Sequence, residues 1–100
     1  MYYQLRRSWK LKSVATEAWG FCRKIRDYHK KLTPEVNPEV FTTKFGEKGI
    51  VIFTADFEDL NSMDAWLQKN RQDEGFRELL IDGPDVFDVN TWHDEVVHTF

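Results

Sequence analysis

The stretch IVIFTADF, residues 50 to 57, decides the fold. Side chains alternate along a strand, so Ile50 and Ile52 share one face while Val51, Phe53 and Ala55 share the other. A strand that is apolar on both sides belongs inside a sheet that is covered on both sides. The segment therefore predicts a central strand, and the rest of the chain has to supply its neighbours and the cover for each face.

Working outward, GEKG at 46 to 49 makes a tight connection back to a second alternating run, EVFTTKF at 39 to 45. Ahead of that lies TPEVNP, a loop with two prolines. Before the loop, Val14, Ala18, Phe21, Ile25, Tyr28 and Leu32 recur at three- and four-residue spacing, the signature of a helix with one apolar face. Ser13 is placed to cap it, and Thr33-Pro34 ends it, because a residue preceding proline is pushed out of the helical region. At the N-terminus, Tyr3, Leu5, Arg7, Trp9 and Leu11 alternate with mostly polar residues, which predicts a half-buried first strand. On the C-terminal side, DLNSMDAWL opens a second helix, with Asn61 as cap, Asp64 as the capping-box acid and Leu60 just outside. DGPD at 82 to 85 then breaks the chain before a last strand, VFDVNTWHDEVVHTF.

The order is β-α-β-β-α-β. Right-handed crossovers turn it into an α+β, ferredoxin-like domain over residues 1 to 100: a four-stranded antiparallel sheet with two helices on one face. The second helix is interrupted. Its stripe stalls at QDEG and resumes at Phe76, so Asp73 is expected to cap a new turn whose Phe76 and Leu80 return to the core. Such a break either packs two half-helices on a curved sheet or opens a pocket mouth.

The segment DFEDLNSMDAWLQKNRQDEGFRELL resembles the corresponding part of the dimeric α+β barrel proteins, the group that includes antibiotic-biosynthesis monooxygenase-like, stress-responsive barrel and NIPSNAP-like domains. The matching elements are the acidic turn at Phe57 to Asp59, the inward Trp66, and the Asp73-to-Phe76 restart. The shared element order extends the likeness over nearly the whole chain. The resemblance implies a homodimer in which two sheets close into a barrel, which would cover the Ile50 and Ile52 face. It also brings aromatic oxidation and haem degradation into view as activities. Haem-degrading members hold the iron with a histidine on the second helix, and residues 61 to 80 contain none, which argues against haem.

Composition narrows the function classes. The 100 residues carry a net charge of −3, so the overall field does not favour a polyanionic partner. The Lys48-Gly49 start of the central strand is similar to an RNA-recognition signature, but base stacking needs aromatic residues where Ile50 and Ile52 stand; no nucleic-acid partner is expected. One cysteine, Cys22, excludes an internal disulfide and suggests a reducing compartment. No run reaches the ~18 apolar residues of a membrane span, and MYYQLRRSWKLK lacks the apolar core of a signal peptide. A cytoplasmic protein that starts at Met1 and has no membrane partner is the expectation.

Candidate site residues follow from misfits. Arg7 lies in register with apolar neighbours, where an unpaired charge is costly; it needs either an acidic partner or a ligand's acid group, which arginine binds bidentately. Trp9, Trp19, Trp66 and Trp92 exceed what core filling asks of a small domain, and indoles pack best when the N–H finds a partner. Trp9 and Trp66 are expected to line an apolar pocket between sheet and helices, with the Tyr3 hydroxyl and His29 as further polar contributors. His93 and His98, five apart on a strand, point to opposite faces and cannot share a metal. No metal site and no cofactor are expected, and Cys22 is read as a small buried hydrophobe.

These residues together suggest a small homodimeric barrel that binds an apolar small molecule, fatty-acid-like or an aromatic carboxylate, with Arg7 meeting its acid group. A cofactor-independent monooxygenase or isomerase using the same pocket is the alternative, and a non-catalytic structural or interaction dimer is the third. Whether the protein is an enzyme is left open by the sequence.

Overall fold

The computed structural model describes residues 2–12, 16–43 and 49–99. The elements in order are β1 (Tyr3–Leu11), α1 (Thr16–Leu32), β2 (Glu39–Thr42), β3 (Ile50–Phe57), α2 (Leu60–Gln72), α3 (Glu74–Leu79) and β4 (Phe87–His98). The sheet order is β2-β3-β1-β4, with every neighbouring pair antiparallel. This is the ferredoxin-like arrangement that the alternation and turn signals predict, and β3 is an inner strand.

β3 also divides its faces as expected. Val51 is 0 % exposed, and Ala55 and Phe57 are buried beneath the helices. Ile50 and Ile52, on the opposite face, are only half-buried, and the Ile52 neighbour Phe41 is 54 % exposed. Within the described residues, then, one face of the sheet has its helices and the other carries apolar side chains open to solvent.

The core under the helices is in two parts. One gathers Leu11, Ala18, Cys22, Ile25, Val51 and Phe87; the other gathers Leu5, Val36, Ala55, Phe57 and Met63. Helix α1 supplies the first part from its 18, 22 and 25 positions, one face of a 3.6-residue period. Helix α2 supplies the second part through Met63 alone among its buried residues. Cys22 packs as a small hydrophobe at 1 % exposure. Trp19 is half-buried against the first cluster.

Some local expectations change. Asp59, not Asn61, caps α2: its carboxylate accepts the Ser62 backbone N–H at 2.7 Å. Leu60 and Asn61 therefore lie in the first turn, and the proposed Asn61–Asp64 capping box does not form. The acidic residue two positions earlier wins because its extended backbone aims the carboxylate at the free N–H groups. The DGPD segment is helical over Gly83–Val86, so β4 starts at Phe87 rather than Val86. β2 ends at Thr42, and residues 44 and 45 of its alternating run lie outside the described residues. The Ser13 cap and most of the GEKG connection lie outside the described residues.

The Asp73 break is as expected. Its carboxylate accepts the Phe76 N–H at 3.2 Å and starts α3. The same oxygen accepts the Tyr28 hydroxyl at 2.8 Å, which ties α1 to the break.

β4 carries the largest irregularity. Ser8 faces His93 and Lys10 faces Asp88, so the four residues 89 to 92 oppose Trp9 alone. This is an extended form of a β-bulge. The turn within it is built from Asp88: its carboxylate accepts the Asn90 N–H at 3.2 Å, and its carbonyl accepts the Thr91 hydroxyl at 2.6 Å. The Lys10 N–H donates to the Thr91 hydroxyl at 2.8 Å.

Candidate functional site

Between the two core clusters lies a cavity of about 310 Å³. Leu5 and Ala55 from one cluster and Ile25 and Phe87 from the other face into it. The helix on this side is interrupted, α2 ending at Gln72 and α3 starting at Glu74. The break in the helix is thus part of the cavity wall, with Asn70, Arg71, Phe76 and Arg77 on either side of it lining the space.

Four of the five residues singled out from sequence line this cavity: Arg7, Trp9, Trp66 and His29. Tyr3 does not. It lies two residues before the cavity-lining Leu5, at the start of β1, and its ring stacks on His98 of β4 at 4.2 Å.

Arg7 already has a partner. Its Nε and Nη2 donate to the two Asp94 oxygens at 2.8 and 2.9 Å, and its Cζ lies 5.1 Å from the centre of the Trp92 ring. The acid comes from the neighbouring strand, directly opposite Arg7 in register, rather than from a helix. Partial burial pushes the Asp94 carboxyl upward, but the Arg7 and Trp92 hydrogen bonds and the Arg7 charge outweigh it and hold it below its ordinary value. Trp92 donates its indole N–H to the same carboxylate at 2.9 Å. The bulge at 89 to 92 brings Trp92 to the cavity, although the ring is 57 % exposed.

The aromatic lining is continuous. Trp9 stacks on Phe87 at 4.9 Å and meets Phe53 edge-on at 6.1 Å. Trp66 meets Phe57 edge-on at 5.4 Å, and its indole N–H donates to the Thr33 hydroxyl at 3.1 Å. Thr33 passes the bond on by donating to the His29 carbonyl at 3.2 Å. His29 lies between Trp66 and Phe76, with ring centres at 5.0 and 4.6 Å. Burial lowers its pKa to about 4, against a smaller opposing effect of Asp73, so the imidazole is neutral at pH 7.

The charge at the cavity is mostly positive. Arg26, Arg71 and Arg77 join Arg7 along its lining, against Glu39. Arg26 bonds its neighbour Asp27 and Glu39 bonds Lys30. Arg71 and Arg77 are exposed, and their side chains make no ion pair or hydrogen bond among the described residues. The sequence reading named neither of these two, because polar residues on a helix read as its solvated side. The signal was the break itself, which turns both flanks toward one opening.

No three His, Cys, Asp or Glu side chains gather as a metal ion would require, and no helix is long and apolar enough to cross a membrane, among the described residues.

Solved structures share this architecture. A NIPSNAP family protein from Agrobacterium tumefaciens superposes with a TM-score of 0.76 at 11 % identity, covering 100 % of this chain and 94 % of the other. The chain has the ferredoxin-like α+β fold of the NIPSNAP proteins. An uncharacterised NIPSNAP-like domain protein from Burkholderia xenovorans gives a TM-score of 0.77 at 12 % identity, over 99 % of this chain and 85 % of that one. A protein from Deinococcus radiodurans, provisionally named an antibiotic biosynthesis monooxygenase, gives 0.59 at 12 % identity over 100 % and 93 %. No family model and no curated protein matches the sequence. At these identities the likeness is one of fold.

Proposed function

We propose that this protein binds an apolar small-molecule acid, an aromatic or medium-chain carboxylate, in the cavity between sheet and helices. The observation that carries the reading is the combination of an aromatic cavity of about 310 Å³ with unpaired arginines at its edge. That volume is at the small end of ligand sites, which favours one ring or a short chain over a long lipid. Trp9 and Trp66 supply apolar contact. Arg71 and Arg77 supply the counter-charge in place of Arg7, whose charge Asp94 takes up.

Tryptophan fluorescence tests this directly, since Trp9, Trp66 and Trp92 all line the cavity. Octanoate and phenylpropionate are expected to bind saturably and more tightly than octanol and phenylpropanol. Replacing Arg71 and Arg77 together by serine should remove that preference for the acid while leaving the alcohols unchanged. Absence of saturable binding by any of the four probes would overturn the reading.

The working form in this proposal is a homodimer. Phe41, Ile50 and Ile52 leave an apolar area on the sheet face away from the helices, and a second copy of that face would bury it. Sedimentation at micromolar concentration should give about twice the 11.9 kDa chain mass, and Phe41→Asp should halve it. Turnover of the bound acid by a cofactor-independent monooxygenase or isomerase is the second reading. It is favoured by the neutral His29 imidazole in the lining and tested by following loss of phenylpropionate in air.

A further inference from the structure

His29 is only 8 % exposed, yet neither ring nitrogen has a hydrogen-bond partner among the described residues. Its backbone carbonyl is occupied by Thr33, but its side chain is not. Asp73, the acid that acts on it electrostatically, uses its Oδ1 to accept the Tyr28 hydroxyl and the Phe76 N–H and makes no hydrogen bond to the imidazole. No buried side-chain nitrogen or oxygen is both sealed off and unpartnered among the described residues. The imidazole nitrogens therefore keep some open surface, and His29 lines the cavity.

Packing does not explain a histidine here. A phenylalanine ring could meet the same Trp66 and Phe76 rings, and a ligand filling the cavity would then leave no ring nitrogen out of water without a partner. A neutral imidazole offers one donor and one acceptor. A hydroxyl also has one of each, whereas a carboxylate has only acceptors. The unpaired cations, by contrast, are on exposed residues at the helix break. The cavity thus presents two polar requirements at different depths: a buried one suited to a neutral group and an exposed one suited to an anion.

Building on the binding proposed above, we propose that His29 determines specificity by hydrogen bonding a ligand hydroxyl, so that the preferred ligand is a hydroxylated apolar acid whose carboxylate lies toward Arg71 and Arg77. The acid group sets affinity through charge, and the hydroxyl sets identity. A ligand lacking the hydroxyl leaves the imidazole unpaired in an apolar enclosure, which is the arrangement that discriminates most sharply between close analogues.

The test uses matched acids on the intact protein: para-hydroxyphenylpropionate against phenylpropionate, and omega-hydroxyoctanoate against octanoate. With the wild-type chain, at least one hydroxylated member should bind about tenfold more tightly than its partner, the worth of one buried hydrogen bond. In His29→Phe that preference should vanish, each hydroxylated acid binding no more tightly than its plain partner. Nitrogen NMR of the wild-type His29 imidazole gives a second readout independent of the variant: saturation with the preferred hydroxylated acid should shift a ring-nitrogen resonance, and its plain partner should not. Equal affinity within both pairs, or a preference that survives His29→Phe, overturns the assignment and leaves acid binding intact. Failure of all four acids to bind overturns both proposals.

Discussion

Arg7 and Asp94 are cross-strand neighbours whose side chains meet in a two-pronged pair, 2.8 and 2.9 Å, on the helix side of the sheet. The pair is about a third exposed, so solvent screens it and its worth is about 1 kcal/mol. Arg7→Leu and Asp94→Asn should each destabilise, and the double variant should lose less than the sum. Urea denaturation of the four proteins measures that coupling, and strict additivity would show that the pair contributes no coupling energy.

The His29 environment predicts a stability loss in mild acid. The unfolded imidazole protonates near its ordinary 6.5, whereas the folded one resists down to about 4. Protons therefore favour the unfolded chain between those values: the penalty is absent above pH 6.5, grows as pH falls, and is complete below about 4. Its size is roughly 3 kcal/mol. Asp94, held low in the folded state, contributes above its ordinary 3.8 and loses that contribution only in stronger acid, so the two effects separate. Stability measured from pH 7 to 4 should fall in the wild type and much less in His29→Phe.

Gly75 allows the close approach of α1 to α3. A Cβ there would run into the Tyr28 hydroxyl, which bonds Asp73. Gly75→Ala should therefore lower the melting temperature despite the better helix propensity of alanine. It should also bring the Tyr28 phenol, raised by that hydrogen bond, back toward 10. In a Tyr28→Phe background most of the cost should disappear. An equally large cost in both backgrounds would place the clash elsewhere.

Cys22 should be chemically silent in the folded protein. Burial pushes its thiol up to about 11 and leaves it 1 % exposed, and the thiolate is the reactive form. Labelling with a thiol reagent at neutral pH should track global unfolding and rise with urea. Rapid labelling in native buffer would mean that α1 opens locally.

Much of this architecture was written in local pattern. β1 has the bounds that its alternation implies and β3 those of its two-sided apolar run, and the Asp73 restart is visible because a capping residue and the apolar residue it precedes are three positions apart. What was hidden depended on long-range register. Arg7 announces that it needs a partner, but nothing in the sequence says that the partner is Asp94, 87 positions away. The offset in β4 is equally invisible, because WHDE alternates as an ordinary strand would. The cationic rim was missed for a third reason: polar helix residues read as solvated, and only the assembled fold shows which of them border an empty space.

The offset in β4 bears on how this fold can be varied. Residues 89 to 92 belong to an edge strand and are supported mainly by their own Asp88-centred turn, and both core clusters are built without them. Their length and identity can change with little consequence for folding, while Trp92 among them borders the cavity. Substitutions and length changes at 89 to 92 thus offer a way to reshape the cavity border without dismantling either core cluster.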